Sequence, residues 1–334
     1  MADRRRVNGP AGGTAPPVYA QQAAGFQNTR RSRMRGPNQI RKLFLKTGLT
    51  PSASGSAYLE FEPSLGQNGV PGRLSDRPSA LKLTCTVHGP RPLPRSAPFT
   101  PQLLLSAHIK YAPFASRQRK GYVRDANERD LAVHLESALR GVLIGERWPK
   151  SGVDVVITVL EGEEDCLEDE PFASTDSEYS RSKGLGMMSV LSGCITVASA
   201  AIVDAGIDCV DFVIGGVAAV ARPPLTNKQK AKSRVKSDYA ESIWQILMDP
   251  SPAEHEDLDA FCVVGYLQSR DEVTELWVKG NTPNKGDSQD QEETVLDVLT
   301  DRAVEAAIAA RHVVVEAFKE SNKFRIQSHS PDQG

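Results

Sequence analysis

Residues 184–206 read GLGMMSVLSGCITVASAAIVDAG, and this stretch decides the fold. Its first twenty residues, 184–203, carry no charge. A helix of that length can cross a bilayer, but the interspersed Gly, Ser and Thr residues and the lack of flanking aromatic or basic belts disfavour insertion. Small side chains also let another element approach a helix backbone closely. The stretch therefore predicts a buried helix packed tightly against a sheet.

The composition and charge distribution of the chain limit its possible domain organisation. Its 334 residues are 40% hydrophobic and 25% charged, enough for one large core or two smaller ones. Residues 1–46 contain ten Lys or Arg and a single acid, Asp3, although the whole chain has a net charge of −2. Residues 1–37 lack periodicity, which predicts a disordered basic arm. No apolar secretory core occurs there, while its Ala- and Arg-rich composition leaves a transit peptide open.

The sequence offers little for metal or cofactor chemistry. Five cysteines and six histidines show no metal-ligand spacing, so we expect neither a metal nor a cofactor. An odd cysteine count without a Cys-x-x-Cys pair predicts a reduced, intracellular compartment. Core packing is the expected role of Cys194, because Ser192-Gly193-Cys194 lacks the context of a nucleophile. The pairs Gly12-Gly13 and Gly215-Gly216 do not form a phosphate-cradling motif.

Local patterns predict most of the secondary structure. Strand-like composition occurs at 56–62, 81–87, 103–111, 152–160 and 208–220. The second of these is expected to end at the turn His88-Gly89-Pro90. A capping box of Asp125 and Glu128 begins the clearest helix, which should end near Gly145. A hairpin of 261–268 with 272–278 and a long helix at 292–320 follow.

Strand pairs that alternate with helices predict a layered α/β domain. We place this domain at 38–325 and a flexible tail at 326–334. Three loop insertions interrupt the domain, near 63–79, 161–183 and 222–238. The first is rich in Gly and Pro, the second opens with seven acids within 161–170, and the third has six basic residues and no acid within 222–236.

Several segments, in order and spacing, resemble the RNase PH family of phosphorolytic exoribonucleases. They are Gly55-Ser56-Ala57 entering a strand, Val87-His88-Gly89-Pro90, the loop around Arg117 before the capped helix, and Ala205-Gly206-Ile207. The resemblance spans about residues 40–320. It implies the RNase PH-like fold, of the ribosomal protein S5 domain 2-like type, in which helices pack on a mixed sheet.

The resemblance also locates a phosphate site that has degenerated. In active family members the counterpart of the central helix begins Gly-Gly-Thr-Arg and ends Asp-Ala-Gly. Counting back from Asp204 without a gap places Gly-Gly on Met188 and Ser189, and Thr-Arg on Val190 and Leu191. Inorganic phosphate, the attacking group, needs a guanidinium fork, a hydroxyl and close N–H groups. Two aliphatic side chains supply none of these, so we expect no phosphorolytic activity.

Active relatives also carry a general-acid aspartate shortly before the hairpin. Asp249 or Asp259 lies in that neighbourhood, although the loop length differs. Glu254, Glu256 and Asp257 are more typical of a solvated acidic loop. We therefore assign no catalytic residue.

Four basic residues are candidates for RNA binding: Arg117, Arg119, Lys120 and Arg124. Their loop corresponds to one that faces the substrate in active relatives, and Arg117 falls where those relatives carry a substrate-binding arginine. Such contacts to the RNA backbone would be independent of base identity and weakened by salt. A solvated surface loop is the alternative. The basic runs at 30–46 and 222–236 can equally bind RNA or an import receptor, or only solvate a face.

Within the family, segments 51–57, 108–114, 140–149 and 191–195 resemble a fungal-looking form of an inert ring subunit of the eukaryotic RNA exosome. This implies a non-catalytic subunit that forms interfaces and part of an RNA channel. The implied partners are other RNase PH-like ring subunits, cap subunits with OB-type and KH domains, RNA, and a hydrolytic exoribonuclease below the ring, in nucleus, nucleolus and cytoplasm. Two other hypotheses stay open: an active phosphate-dependent 3′-to-5′ exoribonuclease, and a freestanding RNA-binding protein.

Overall fold

The computed structural model describes residues 33, 35–62, 80–115, 119–163, 184–221, 244–252, 254, 258–280 and 294–329, with side chains as far as 323. Residues 1–32 and nearly all of the three predicted insertions lie outside the described residues.

The described residues form nine strands in two sheets. The first sheet contains β1 (Leu43–Thr47), β2 (Gly55–Phe61), β3 (Lys82–Pro92), β4 (Leu104–Tyr111) and β5 (Ser151–Glu161). Its order is β1-β2-β3-β5-β4, and only β4 and β5 run parallel. The second sheet contains β6 (Val213–Ala221), β7 (Gln245–Met248), β8 (Leu258–Leu267) and β9 (Glu272–Gly280). It is antiparallel throughout, in the order β7-β6-β8-β9.

Three helices complete the layers: α1 (Ala126–Arg140), α2 (Leu185–Asp204) and α3 (Val295–His329). Helix α2 lies between the sheets, against β2 and β3 on one side and β6 and β8 on the other. Helix α3 packs on β6 and β8, and α1 packs on β4. The predicted layered α/β class is confirmed.

Helix α2 is the predicted buried helix. Among the described residues it is the one helix long and apolar enough to cross a membrane, and 89% of that window is buried inside the protein. Two hydroxyl groups of α2 accept hydrogen bonds from backbone N–H groups of β6. Thr196 Oγ1 accepts one from Gly215 N, and Ser199 Oγ accepts one from Val213 N, each at 3.0 Å. Strand β7 pairs with β6 only from Ala218 onward. The helix therefore satisfies N–H groups that a neighbouring strand would otherwise satisfy.

Two adjacent glycines bring helices onto both faces of β6. A Cβ added at Gly215 would lie 2.2 Å from Ser192 O of α2, and one added at Gly216 would lie 2.0 Å from Ala303 O of α3. Successive residues of a strand face opposite sides, so each glycine admits one helix. The pair is thus explained by packing, in line with the prediction that it does not cradle phosphate.

Helix α1 covers part of the edge of β4. Its capping box is formed as predicted, by Asp125 and Glu128. Glu128 Oε1 also accepts a hydrogen bond from Tyr111 N, and Glu136 Oε1 accepts one from Ala107 N, each at 2.9 Å. Both donors belong to an edge strand, where unpaired N–H groups would offer a template for another chain.

Strand β3 does not end where the turn residues suggested. It continues through His88 and Gly89 to Pro92. A register shift between His88 and Arg91 absorbs these residues, and Gly89 takes a φ of +138° that favours glycine. The predicted turn is therefore a bulge within a longer strand.

Helix α3 extends further than its apolar pattern indicated. Its backbone is helical to His329, beyond the expected end at Glu320 and into the predicted tail at 326–334. No Gly or Pro occurs between Glu320 and Pro331, so nothing in the covalent chain stops the helix there.

Candidate functional site

The four positions of the predicted phosphate site lie inside α2. Met188, Ser189, Val190 and Leu191 are at most 2% exposed, in the core between the sheets. The helix begins after Gly184, and Met188 N donates to Gly184 O at 3.1 Å. The next three N–H groups lie beyond the first turn, where the i−4 carbonyls of a helix accept them. Backbone donors at these positions are therefore committed to the helix.

The side chains at these positions are equally unsuited to an anion. Val190 and Leu191 are aliphatic, and Ser189 Oγ is buried without a hydrogen-bond partner among the described residues. The ammonium group of Lys279 lies near the start of the helix. Its Nζ would be 2.5 Å from a Cβ added at Gly184. An ammonium alone lacks the fork, hydroxyl and N–H groups that hold phosphate.

Cys194 is fully buried in α2, as expected of a core residue. Burial raises the pKa of its thiol, and burial together with the nearby Cys194 raises the pKa of Cys85. The thiolate is the nucleophilic form, so burial disfavours a nucleophilic role for both residues.

Asp249, a candidate general acid, is held ionised by arginines. Arg41 Nε and Nη2 donate to its two carboxylate oxygens at 2.9 and 2.8 Å, and Arg41 N donates to Oδ2 at 2.8 Å. Arg35 Nη1 lies 3.2 Å from Oδ2. Burial would raise the pKa of Asp249, but Arg41 and Arg35 outweigh it and hold this pKa below its ordinary value. A carboxyl group that stays ionised at neutral pH has no proton to donate.

These contacts belong to a larger buried cluster. Arg41 also pairs with Glu163, just after β5, and lies over the Phe61 ring at 5.0 Å from its centre. Arg35 Nη2 pairs with Glu254 at 2.8 Å, and Arg33 Nη2 donates to Met248 O at 2.9 Å. We call this set the Arg41 cluster; its charged members are Arg33, Arg35, Arg41, Glu163, Asp249 and Glu254. It joins the two sheets, because Arg41 precedes β1 and Asp249 follows β7.

The Arg41 cluster corrects two expectations. The side chain of Glu254 is 5% exposed and paired, so Glu254 is not part of a solvated loop. Arg33, Arg35 and Pro37, predicted to be in the disordered arm, are hydrogen-bonded to Met248 and Asp249 at the end of β7. The acidic-loop expectation treated charged residues as solvated, and the arm expectation relied on the lack of periodicity; pairing lets charged residues of either kind be buried. The second acid candidate, Asp259, is 8% exposed within β8, and Glu256 and Asp257 lie outside the described residues.

One sequence signal could have identified Arg41. Residues 41, 43, 45 and 47 are buried and the residues between them are exposed. Arg41 therefore continues the inward face of β1 one step beyond the strand. An arginine on the apolar side of such an alternation needs a buried acid as its partner.

Two of the four predicted RNA-binding residues, Lys120 and Arg124, contact β4, and Arg119 is described beside Lys120 in the chain. Arg117 lies outside the described residues. Lys120 Nζ is 5.8 Å from the centre of the Tyr111 ring, and Arg124 Nη1 is 2.9 Å from His108 Nδ1. We call residues 119–124 the basic loop. Both contacts are with side chains of β4.

The basic loop keeps its positive charge. Residues 119–124 contain three basic residues and no acid, and Asp125 follows directly. Of the acids that follow the loop, Asp125 caps α1 and Glu128 is paired with Lys110 at 3.0 Å. Lys110 Nζ also donates to Val123 O at 3.2 Å, which ties the loop to the strand. This surface is therefore suited to a polyanion.

Comparison with known proteins agrees with this architecture. The RNase PH family, described as 3′ exoribonuclease family, domain 1, matches residues 39–208. The chain belongs to the RNase PH family. Its relatives in that family include the exosome complex component MTR3 of Chaetomium thermophilum, 47% identical over 324 residues, which are 96% of this chain and 99% of that protein. The exosome complex component mtr3 of Schizosaccharomyces pombe is 26% identical over 318 residues, 95% of this chain and 96% of that protein.

A solved structure shows the same RNase PH fold. The crystal structure of rice (Oryza sativa) Rrp46 covers 84% of this chain and 96% of its own, with a TM-score of 0.52 and 15% identity. At that identity the likeness concerns the fold alone.

Proposed function

We propose that this protein is a structural subunit of the RNA exosome ring that supports 3′-to-5′ RNA processing and degradation. The observation that carries the proposal is the similarity, from end to end, to exosome components of the MTR3 type. The RNase PH-like fold supplies the framework of such a subunit. Other exosome components are its partners.

We propose that the subunit is non-catalytic. Loss of one preorganised anion-binding donor lowers an enzymatic rate by about 10² to 10³. Here the hydroxyl and the guanidinium of the family motif are replaced by Val190 and Leu191, and the backbone donors beside them are committed to α2. Asp249 is ionised and paired. These features leave neither a phosphate to attack nor an acid to assist.

Purified full-length protein is accordingly expected to release no nucleoside diphosphates from single-stranded RNA in the presence of inorganic phosphate. The measurement is chromatography of the products after long incubation. A chain with Val190→Thr and Leu191→Arg is the comparison; since both sites are in the core, it should lose stability rather than gain activity. Phosphate-dependent diphosphate release by the unaltered chain would instead establish an active exoribonuclease.

The finer set of partners is also our proposal: RNase PH-like ring subunits on either side, cap subunits with OB-type and KH domains, and a hydrolytic exoribonuclease below. Strand β9 supports a lateral neighbour, because it is an edge strand on which Val273 and Leu276 are 43% and 48% exposed. We expect the protein in the nucleus and the cytoplasm, and we propose that it also occurs in the nucleolus. A freestanding RNA-binding protein would instead purify from cells as a monomer, which native mass measurement distinguishes.

We further propose that the basic loop forms part of the RNA path, together with Arg117, which precedes it in the sequence. Reversing Arg119, Lys120 and Arg124 to Glu together is expected to weaken binding of single-stranded RNA on the order of 10- to 100-fold. The slope of the logarithm of the binding constant against the logarithm of salt concentration should also become shallower by about 2. Each of the three lost phosphate contacts contributes roughly 0.7 to that slope. Fluorescence anisotropy of the full-length chain at several salt concentrations measures both.

The matched control reverses three basic residues elsewhere: Arg270, Arg302 and Lys319. Among the described residues, each pairs with an acid two or three positions away in the chain. The net charge change is the same, so a general loss of positive charge would affect both chains. Equal weakening in the two chains would remove the basic loop from the RNA path.

A further inference from the structure

Four large apolar side chains are exposed near the points where β4 and β5 begin. Phe99, Leu104, Ile144 and Trp148 are 72%, 48%, 40% and 38% exposed. Together they expose roughly 400 Å² of surface, and a patch of about 300 to 600 Å² on a monomer is often functional. We call these four side chains the apolar patch.

Backbone hydrogen bonds join the two segments that carry the apolar patch. Gly145 O accepts a hydrogen bond from Leu103 N at 3.0 Å and another from Trp148 N at 3.3 Å. Lys150 N donates to Thr100 O at 3.1 Å. The glycine permits this approach, because a Cβ at position 145 would lie 3.2 Å from Leu103 N. The two segments are therefore in direct contact.

The backbone of both segments is restrained. Ile144 N donates to Asp208 O at 3.0 Å, and Arg147 Nη1 pairs with the Asp208 carboxylate at 3.0 Å. On the other segment, Pro98 and Pro101 flank Phe99 and Thr100, and a proline ring fixes the backbone angle φ. A surface that is already ordered loses less conformational entropy when it binds a partner.

The surroundings of the apolar patch carry positive charge. Arg95 and Lys150 are exposed, and neither is paired with an acid that the structure describes. Glu146 is the one acid in the two segments, residues 91–104 and 144–150. Complementary charge selects the partner of an interface, so this surface favours an acidic partner over a basic one.

The side chains of the apolar patch favour a protein partner over a nucleic acid. Bases stack on aromatic rings, and the aliphatic Leu104 and Ile144 offer none. Tryptophan, phenylalanine and arginine are enriched in protein interfaces. A stable interface between globular proteins buries about 800 Å² on each partner, which is about twice the exposed area of the patch. A short peptide segment therefore matches this surface better than a globular domain does.

We propose that the apolar patch binds a short acidic segment of another protein. Apolar side chains of that segment cover Trp148 and Ile144, and its carboxylates pair with Arg95 and Lys150. The inference does not depend on the RNA-binding role proposed for the basic loop.

The test is a selection from a random library of short peptides displayed on phage, with the full-length chain as the immobilised target. The enriched peptides are expected to carry several Asp or Glu residues beside aromatic or branched aliphatic residues. Anisotropy then measures the binding of one synthesised, selected peptide to the full-length chain and its variants. Trp148→Ser and Arg95→Glu should each weaken this binding on the order of tenfold, and added salt should weaken it too.

Val133→Ser is the matched control, because Val133 is an apolar side chain that is 65% exposed on α1. This variant should bind the selected peptide as the unaltered chain does. Arg95→Glu keeps the test decisive if Trp148→Ser destabilises the fold, since Arg95 is an exposed loop residue.

Three results would overturn the proposal. The first is a selection that enriches no peptide, or only basic or uncharged peptides. The second is a selected acidic peptide that binds the Arg95→Glu and Trp148→Ser chains as tightly as the unaltered chain. The third is a Trp148→Ser chain that still binds the peptide but no longer associates with other exosome components, which would assign the apolar patch to a subunit interface.

Discussion

Replacing Arg41 by methionine is expected to lower the free energy of unfolding by about 3–5 kcal/mol. The arginine side chain is 3% exposed, and its removal leaves the carboxylates of Asp249 and Glu163 buried without their main counter-charge. Methionine retains the volume of the aliphatic stem, so most of the loss is electrostatic. Chemical denaturation of the full-length chain measures it.

The control is the next residue in the chain. Lys42 is 85% exposed and pairs with Glu62, so Lys42→Met should change stability by no more than about 1 kcal/mol. Adding Asp249→Asn to the Arg41→Met chain should recover part of the loss, since one uncompensated charge is removed. If the Arg41→Met and Lys42→Met chains were equally stable, Arg41 would not belong to a buried charged cluster.

Acid provides a further check on the same cluster. The pKa of Asp249 is lower in the folded chain than its usual unfolded value of about 3.9. Its pairing with Arg41 therefore stabilises the fold fully above that unfolded value and is lost as the pH falls through the folded value. The stability difference between the unaltered and Arg41→Met chains should narrow in that window and stay constant near neutral pH.

Gly216→Ala is expected to destabilise the chain by about 1–3 kcal/mol or more. The new methyl group would lie 2.0 Å from Ala303 O and 2.8 Å from Ala307 N, and backbone atoms of a helix cannot move aside like the end of a side chain. Helix α3 would have to shift from β6. Thermal denaturation of the full-length chain measures the effect.

A glycine in open space provides the comparison. A Cβ at Gly121 meets nothing within 4 Å, so Gly121→Ala should be nearly neutral. A Gly216→Ala chain as stable as the unaltered one would show that α3 does not approach β6 as closely as described.

Sequence patterns predicted the elements whose signals are local. The capping box of Asp125 and Glu128, the charge-free run of α2 and the β8-β9 hairpin all depend on residues close together in the chain. Short strands such as β1 and β7 were missed, because five or four residues hold too few alternations to separate a strand from a loop.

The features of the candidate site also divide into those that a local sequence pattern predicts and those that depend on residues far apart in the chain. The aliphatic residues Val190 and Leu191 could be identified from the sequence because the family motif fixes their spacing. Where α2 begins, and hence the commitment of its N–H groups, depends on packing between two sheets. The pairing of Arg41 with Asp249 joins residues 208 positions apart, which no local pattern contains.

The carboxylates of Glu128 and Glu136, which α1 directs at the edge of β4, also affect how the chain behaves before it assembles with other subunits. A ring subunit that awaits its neighbours exposes strand flanks, and cross-strand sticking between unassembled copies is a hazard at that stage. On this flank an incoming strand would first have to displace the charge-assisted hydrogen bonds from Tyr111 and Ala107 to the α1 glutamates. This part of the β4 edge is therefore a poor template for strand pairing between unassembled copies.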